Sequence, residues 1–116
     1  MVDTTQQAFL DIAQHDPSAL ERLVRASAEH VEASGLDART YTLVNVAALI
    51  ALDAAPSSYI WQIGLALEAG VTPEEILGLL VAVGPTVGSA KIVAAAPEIA
   101  LALGIDLEAI EAAGRR

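Results

Sequence analysis

Polar and apolar positions recur along this chain at helical spacing, and no stretch alternates at period two for long enough to make a strand. The pattern predicts a first short helix over residues 3–14, with Phe9, Ile12 and Ala13 on one side. Asp16-Pro17 then marks a new start, since Asp caps and Pro opens a helix. Leu20, Leu23, Val24, Ser27, Ala28 and Val31 continue at helical spacing until Gly35. Asp37 can cap a third helix reaching about residue 54, and its apolar residues surround most of the cylinder. Such a helix belongs in a core.

The sharpest local signals lie between residues 55 and 77. Pro56 suits a first helical turn, because its missing N–H would be unpaired there anyway. Gly70 suits the left-handed residue just past a helix end. Thr72 then caps the next helix, Pro73 opens it, and Glu75 falls three residues after the cap, which completes a capping box. These signals predict helices over 57–69 and 73–83. Gly84-Pro85 predicts a break, followed by helices over 86–95, 97–103 and 106–113, the last capped by Asp106. The expected fold is all-α, a compact multi-helix bundle forming one domain over residues 1–116. Gly64 and Gly78 lie inside helical pattern, where each costs about 1 kcal/mol relative to Ala. The close approach of another helix backbone is the expected reason, with room for a ligand the alternative.

Composition sharpens this picture. Hydrophobic residues are 54% of the chain but aromatics only 3%, so the apolar mass is short and aliphatic. A chain of 116 residues has too much surface to hide all of it, and exposed apolar faces predict contacts between subunits. Six basic against fifteen acidic residues give a net charge of −9, which argues against nucleic acid and anionic membrane surfaces as partners. No apolar run approaches the roughly 18 residues of a membrane span. No leader is apparent at the start, and the absence of cysteine fits a cytoplasmic location. It also removes thiolate nucleophiles, disulfides and Cys-based metal sites. Neither His15 nor His30 has a partner at metal-ligand spacing, so no metal and no cofactor is expected.

Ala66-Leu-Glu-Ala-Gly70-Val-Thr-Pro-Glu-Glu75-Ile resembles the signature of the carboxymuconolactone decarboxylase family, which includes alkyl hydroperoxidase D-like proteins. The likeness covers roughly residues 36–104 and is sharpest from 55 to 90. It implies an alkyl hydroperoxidase D-like bundle assembled as a homotrimer or homohexamer. In the redox members a Cys-x-x-Cys-x-x-x-His motif begins the first of these helices, with its His eight residues before the glycine that matches Gly70. Those motif places fall on Ala55, Ser58 and Gln62. The family's acid–base glutamate falls near Thr42. The resemblance therefore supports the fold and argues against thiol peroxidase chemistry.

Two functional readings follow. One is a cofactor-independent decarboxylase or lyase acting on a small lactone or carboxylate, with Ser58, His30 and Glu68 as the candidate catalytic residues. Ser58 lacks the adjacent base a hydroxyl nucleophile needs, because Gln62 one turn on cannot accept a proton. His30 flanks the apolar stripe of its helix and is either an acid–base group or a boundary histidine. Glu68 sits near a helix C-terminus, where the dipole disfavours a carboxylate, so Arg39 or Lys91 is its expected partner. The other reading is a non-catalytic oligomer of the same fold that binds a small molecule. Thr42, Asn45, Ser58, Tyr59 and Gln62 form a polar cluster in otherwise apolar helices, so the expected ligand site is the start of the helix opened by Pro56. Tyr59 and Trp61 are either core filler or the wall of that site.

Overall fold

The computed structural model describes residues 3–14 and 16–114, without the side chains of residues 8, 12, 19, 20, 22–24 and 26–28. His15, and most of the apolar stripe expected on the second helix, therefore lie outside the described residues. Seven helices and no strand occur among the described residues: α1 (Thr4–Ala13), α2 (Pro17–Ser34), α3 (Ala38–Leu52), α4 (Pro56–Glu68), α5 (Pro73–Val87), α6 (Ser89–Ala102) and α7 (Leu107–Gly114). No described helix is long and apolar enough to cross a membrane.

The chain divides into two units, residues 1–37 and 38–116. In the first, α1 packs on α2. Asp3 and Gln6 cap α1 reciprocally: the Gln6 N–H donates to Asp3 Oδ1 at 2.7 Å and the Asp3 N–H to Gln6 Oε1 at 3.1 Å.

In the second unit α3 packs on α4, α5 and α6, and α6 packs on α4 and α5. Side chains from these helices form one core around Val46, Ile50, Tyr59, Ile63, Ile76 and Ile99. Spacing of four selects the buried face of α3, which is Thr42, Val46 and Ile50. Its opposite side carries Val44, Ala48 and Leu52, all exposed. Apolar residues all round α3 thus do not make it wholly buried, because only one face meets other helices of this unit.

Three helix ends are closed by one device. Past α4, the Gly70 N–H donates to Leu67 O at 3.1 Å and the Val71 N–H to Ala66 O at 3.0 Å, with Gly70 at φ 87°. This is a Schellman ending, and it buries Val71 beneath the corner. Gly104 closes α6 in the same way. Asp53 takes that place after α3, at φ 53°, a conformation that Asp tolerates better than most residues because of its short polar side chain. The expected caps form as well. Thr72 and Glu75 make the complete capping box of α5, and Asp106 Oδ1 accepts from the Ala109 N–H at 3.0 Å.

Gly84-Pro85 does not break the chain. α5 continues through Pro85 to Val87, and the turn falls at Gly88, whose φ of 95° no side-chain-bearing residue adopts easily. α6 likewise runs through Pro97 to Ala102, merging the two short helices expected there. A proline removes one bond, to the carbonyl four residues earlier. Both prolines are exposed, or nearly so, and Val81 and Val93 four residues before them are exposed as well. The orphaned carbonyls therefore lie on outward helix faces, where water can satisfy them.

Candidate functional site

The polar residues spread along the packed pair α3 and α4: Thr42 lies toward the end where Arg39 reaches Gly70, and Ser58 and Tyr59 lie toward the end where Tyr59 reaches Leu49. Thr42 lies on the buried face of α3, and its hydroxyl donates to Arg39 O at 2.9 Å. Asn45 lies on the same helix and its Nδ2 donates to Tyr41 O at 2.9 Å. Both side chains thus satisfy themselves on their own helix. Tyr59 is 2% exposed and belongs to the core. Its hydroxyl donates to Leu49 O at 3.2 Å, tying the start of α4 to the last turns of α3. Burial, followed by the carboxylates of Asp53 and Glu98, pushes the Tyr59 phenol above its ordinary pKa, so it stays a neutral donor. Trp61 turns outward at 44% exposure and neither fills the core nor walls the corner with Tyr59.

α4 begins without a side-chain cap. Ala55 precedes Pro56 in an extended conformation and has no group to offer, and the Ser58 N–H closes a first turn on Ala55 O at 3.0 Å. Ser58 is half-buried, and Gln62 follows it one turn on along the same face, also half-buried. Gln62 Oε1 is fully buried and has no hydrogen-bond partner. It is the one such side-chain atom found among the described residues. An acceptor in that state costs about 1–3 kcal/mol, and such atoms in native proteins call for an explanation.

Arg39 does not reach Glu68. Its guanidinium spans the α4–α5 corner instead, donating to Gly70 O and to Glu75 of the capping box. The reason is placement: Arg39 opens α3 beside the first turn of α5, and Gly70 presents its carbonyl there. The Thr72 N–H bond to Glu75, and then Arg39, holds the Glu75 carboxyl below the usual carboxylate range, against an opposing effect of desolvation. This clamp, which closes a sequence gap of 36 residues, leaves no local signal at Arg39 itself. Glu68 is exposed at the end of α4, and among the described residues Lys91 forms no ion pair with it. His30 is exposed on α2, in the first unit. The start of α4, with Ser58, Tyr59 and Gln62, thus lies against the later turns of α3, and Thr42 lies toward the opposite end of α3, near Gly70.

Two clefts are also present, and sequence patterning carried no sign of either. One, lined by Pro97, Leu101, Ile105 and Leu107, lies where α6 leads into α7. The other, of about 280 Å³, is an apolar groove between α5 and α6, edged by Leu77, Leu80, Ile99 and Leu103 with Glu74 at its rim. Neither includes any of these polar residues. No group of His, Cys, Asp and Glu among the described residues could hold a metal ion.

The family model described as the carboxymuconolactone decarboxylase family matches residues 17–102, well over half of the 116. The chain belongs to the carboxymuconolactone decarboxylase family. No significant match is found among curated proteins or among solved structures. Family membership accounts for the helical fold and for the capped α4–α5 corner. Within the family this chain is a cysteine-free member, and so lacks the Cys-x-x-Cys motif of the redox members.

Proposed function

We propose that this family member is a homo-oligomer that binds a small, uncharged, hydroxyl-bearing lactone at the start of α4. The observation that carries the reading is Gln62 Oε1, buried and unpaired nearly two turns into a helix with no side-chain cap. The oxygen needs a donor, and the first amides of α4 favour an acceptor. A molecule offering a hydroxyl to Gln62 and a carbonyl oxygen to the helix start satisfies both. The net charge of −9 weighs against a fully ionised ligand, as does the engagement of Arg39 with Glu75.

Binding is favoured over catalysis because Ser58, Tyr59 and Gln62 carry no ready base, and the carboxylates nearest to them, Asp53 and Glu98, act on the Tyr59 phenol from outside that set. Thr42 and Tyr59 spend their hydroxyl protons on backbone carbonyls, and Gln62, one turn from Ser58, is an amide and not a base. Family membership favours a second reading, a cofactor-independent decarboxylase or lyase on the same ligand class. It would draw its acid or base from a carboxylate of the second unit, Asp53 or the exposed Glu68. Assembly as a trimer or hexamer is part of both readings. Its support is the set of large apolar side chains left exposed on α3 to α6, among them Leu52, Ile60, Leu77, Val81 and Val93.

The test is titration with a small hydroxylactone and with its deoxy counterpart, read by calorimetry. The hydroxyl compound should bind at least tenfold more tightly, and Gln62→Leu should abolish that preference. Equal affinities, or a preference that survives Gln62→Leu, would refute the site.

A further inference from the structure

The start of α4 is the positive end of a helix dipole, equivalent to roughly half an elementary charge, and by itself it favours a carboxylate. A hydroxylactone has a close relative of that kind. Its ring-opened hydroxy acid also offers a hydroxyl to Gln62, and it presents an ionised carboxyl to the helix start. Which of the two is retained depends on the other charges that act there.

Tyr59 follows Ser58 and precedes Gln62 by one turn, and its hydroxyl donates to Leu49 O at 3.2 Å. Asp53 lies one turn past Leu49, at the left-handed residue that closes α3, so the end of α3 brings a carboxylate into the neighbourhood of that hydroxyl. Glu98 comes from another helix. α6 packs on α4, and Glu98 directly precedes Ile99, which shares the core with Tyr59. Both carboxylates help to raise the Tyr59 pKa, so their fields reach the first turn of α4. Among the described residues neither forms an ion pair, Arg39 is engaged with Glu75, and Lys91, two turns before Glu98 on α6, pairs with neither. Two full negative charges therefore act where the helix supplies roughly half a positive one.

We propose, resting on the lactone reading above, that Asp53 and Glu98 make the start of α4 selective for the closed, uncharged lactone over its ring-opened hydroxycarboxylate. The opened form brings a like charge toward both carboxylates, whereas the closed ring brings none. Discrimination of this kind is built against the competitor and needs no new contact to the preferred ligand. The place keeps the closed ring and releases the opened one.

The test is calorimetric titration with α-hydroxy-γ-butyrolactone and with 2,4-dihydroxybutyrate, its opened form, at pH 7, where the acid is ionised. The native chain should bind the lactone roughly tenfold more tightly. Asp53→Asn and Glu98→Gln remove charge with little change of shape, and Asn also tolerates the left-handed backbone at position 53. Each should narrow the preference about threefold, and the two together should nearly abolish it. Glu74→Gln removes the same charge from the first turn of α5, beyond the opposite end of α4, and should leave the preference unchanged. Added salt should shrink the preference of the native chain and leave that of the double variant alone. Equal affinities in the native chain, tighter binding of the opened acid, or a preference that the double variant retains would overturn the role of the two carboxylates. Should the double variant not fold by circular dichroism, a native preference that salt leaves untouched overturns it instead. In each of these cases the Gln62-dependent preference for a hydroxyl still decides the lactone reading by itself. If neither compound binds, both fall.

Discussion

Replacing Gln62 by Leu should stabilise this protein while it abolishes ligand binding. The two side chains are similar in size, and what changes is the amide. In the ligand-free protein Gln62 Oε1 is buried without a partner, and removing an unsatisfied acceptor recovers about 1–3 kcal/mol of desolvation. Gln62 as a whole is half-buried, so part of its amide remains within reach of water. The lower end of the range therefore applies, about 1 kcal/mol. For a unit of this size that is a rise in Tm of about 4–8 °C. The assay is thermal and urea unfolding followed by circular dichroism, with an unchanged urea m value as the sign that only stability moved. Gln62→Glu is the informative companion. It places an acceptor-only carboxylate where an acceptor already lacks a partner, and it should destabilise. A Gln62→Leu variant less stable than the parent by about 1 kcal/mol or more would show that the oxygen is paired in the free protein. The corner would then have no acceptor waiting for a donor. The trade of stability against binding is typical of a site whose polar groups are satisfied only by ligand.

Two further outcomes follow. Glu75 has its folded-state pKa lowered by the Thr72 N–H and by Arg39, so the stability it contributes is complete above the ordinary carboxylate range and is lost as pH falls through its folded value. Unfolding midpoints should drop on acidification, and Glu75→Gln should flatten that limb, since Gln keeps the cap but neither titrates nor pairs with Arg39; a Glu75→Gln profile that overlays the native one would refute the clamp. With no cysteine in the chain, hydroperoxide turnover coupled to a dithiol donor should not exceed that of heat-killed protein, and turnover above that control would refute the assignment.

Local chemistry wrote the helix ends into the sequence. Thr72, Pro73 and Glu75 act across one turn, as do Gly70, Gly104 and Asp106, so their backbone consequences hold wherever the helices pack. That is why the α4–α5 corner and the family were legible from residues alone. Tertiary structure decided the rest. Pro85 and Pro97 read as breaks, yet both helices pass through them, because the carbonyl each leaves unbonded lies on an outward face. Whether a helix face is outward depends on what packs against it, which no local pattern states. Arg39 was free on paper to meet Glu68 and instead clamps Gly70 and Glu75, since the choice rests on where two distant helix ends lie in space. The same holds for the polar cluster itself. Its members are alike in the sequence, but packing allows Thr42, Asn45 and Tyr59 to find carbonyls and leaves the Gln62 oxygen without a donor. Hydrogen-bond satisfaction is a property of three-dimensional neighbours, and it is what sets the Gln62 oxygen apart from the rest of the cluster.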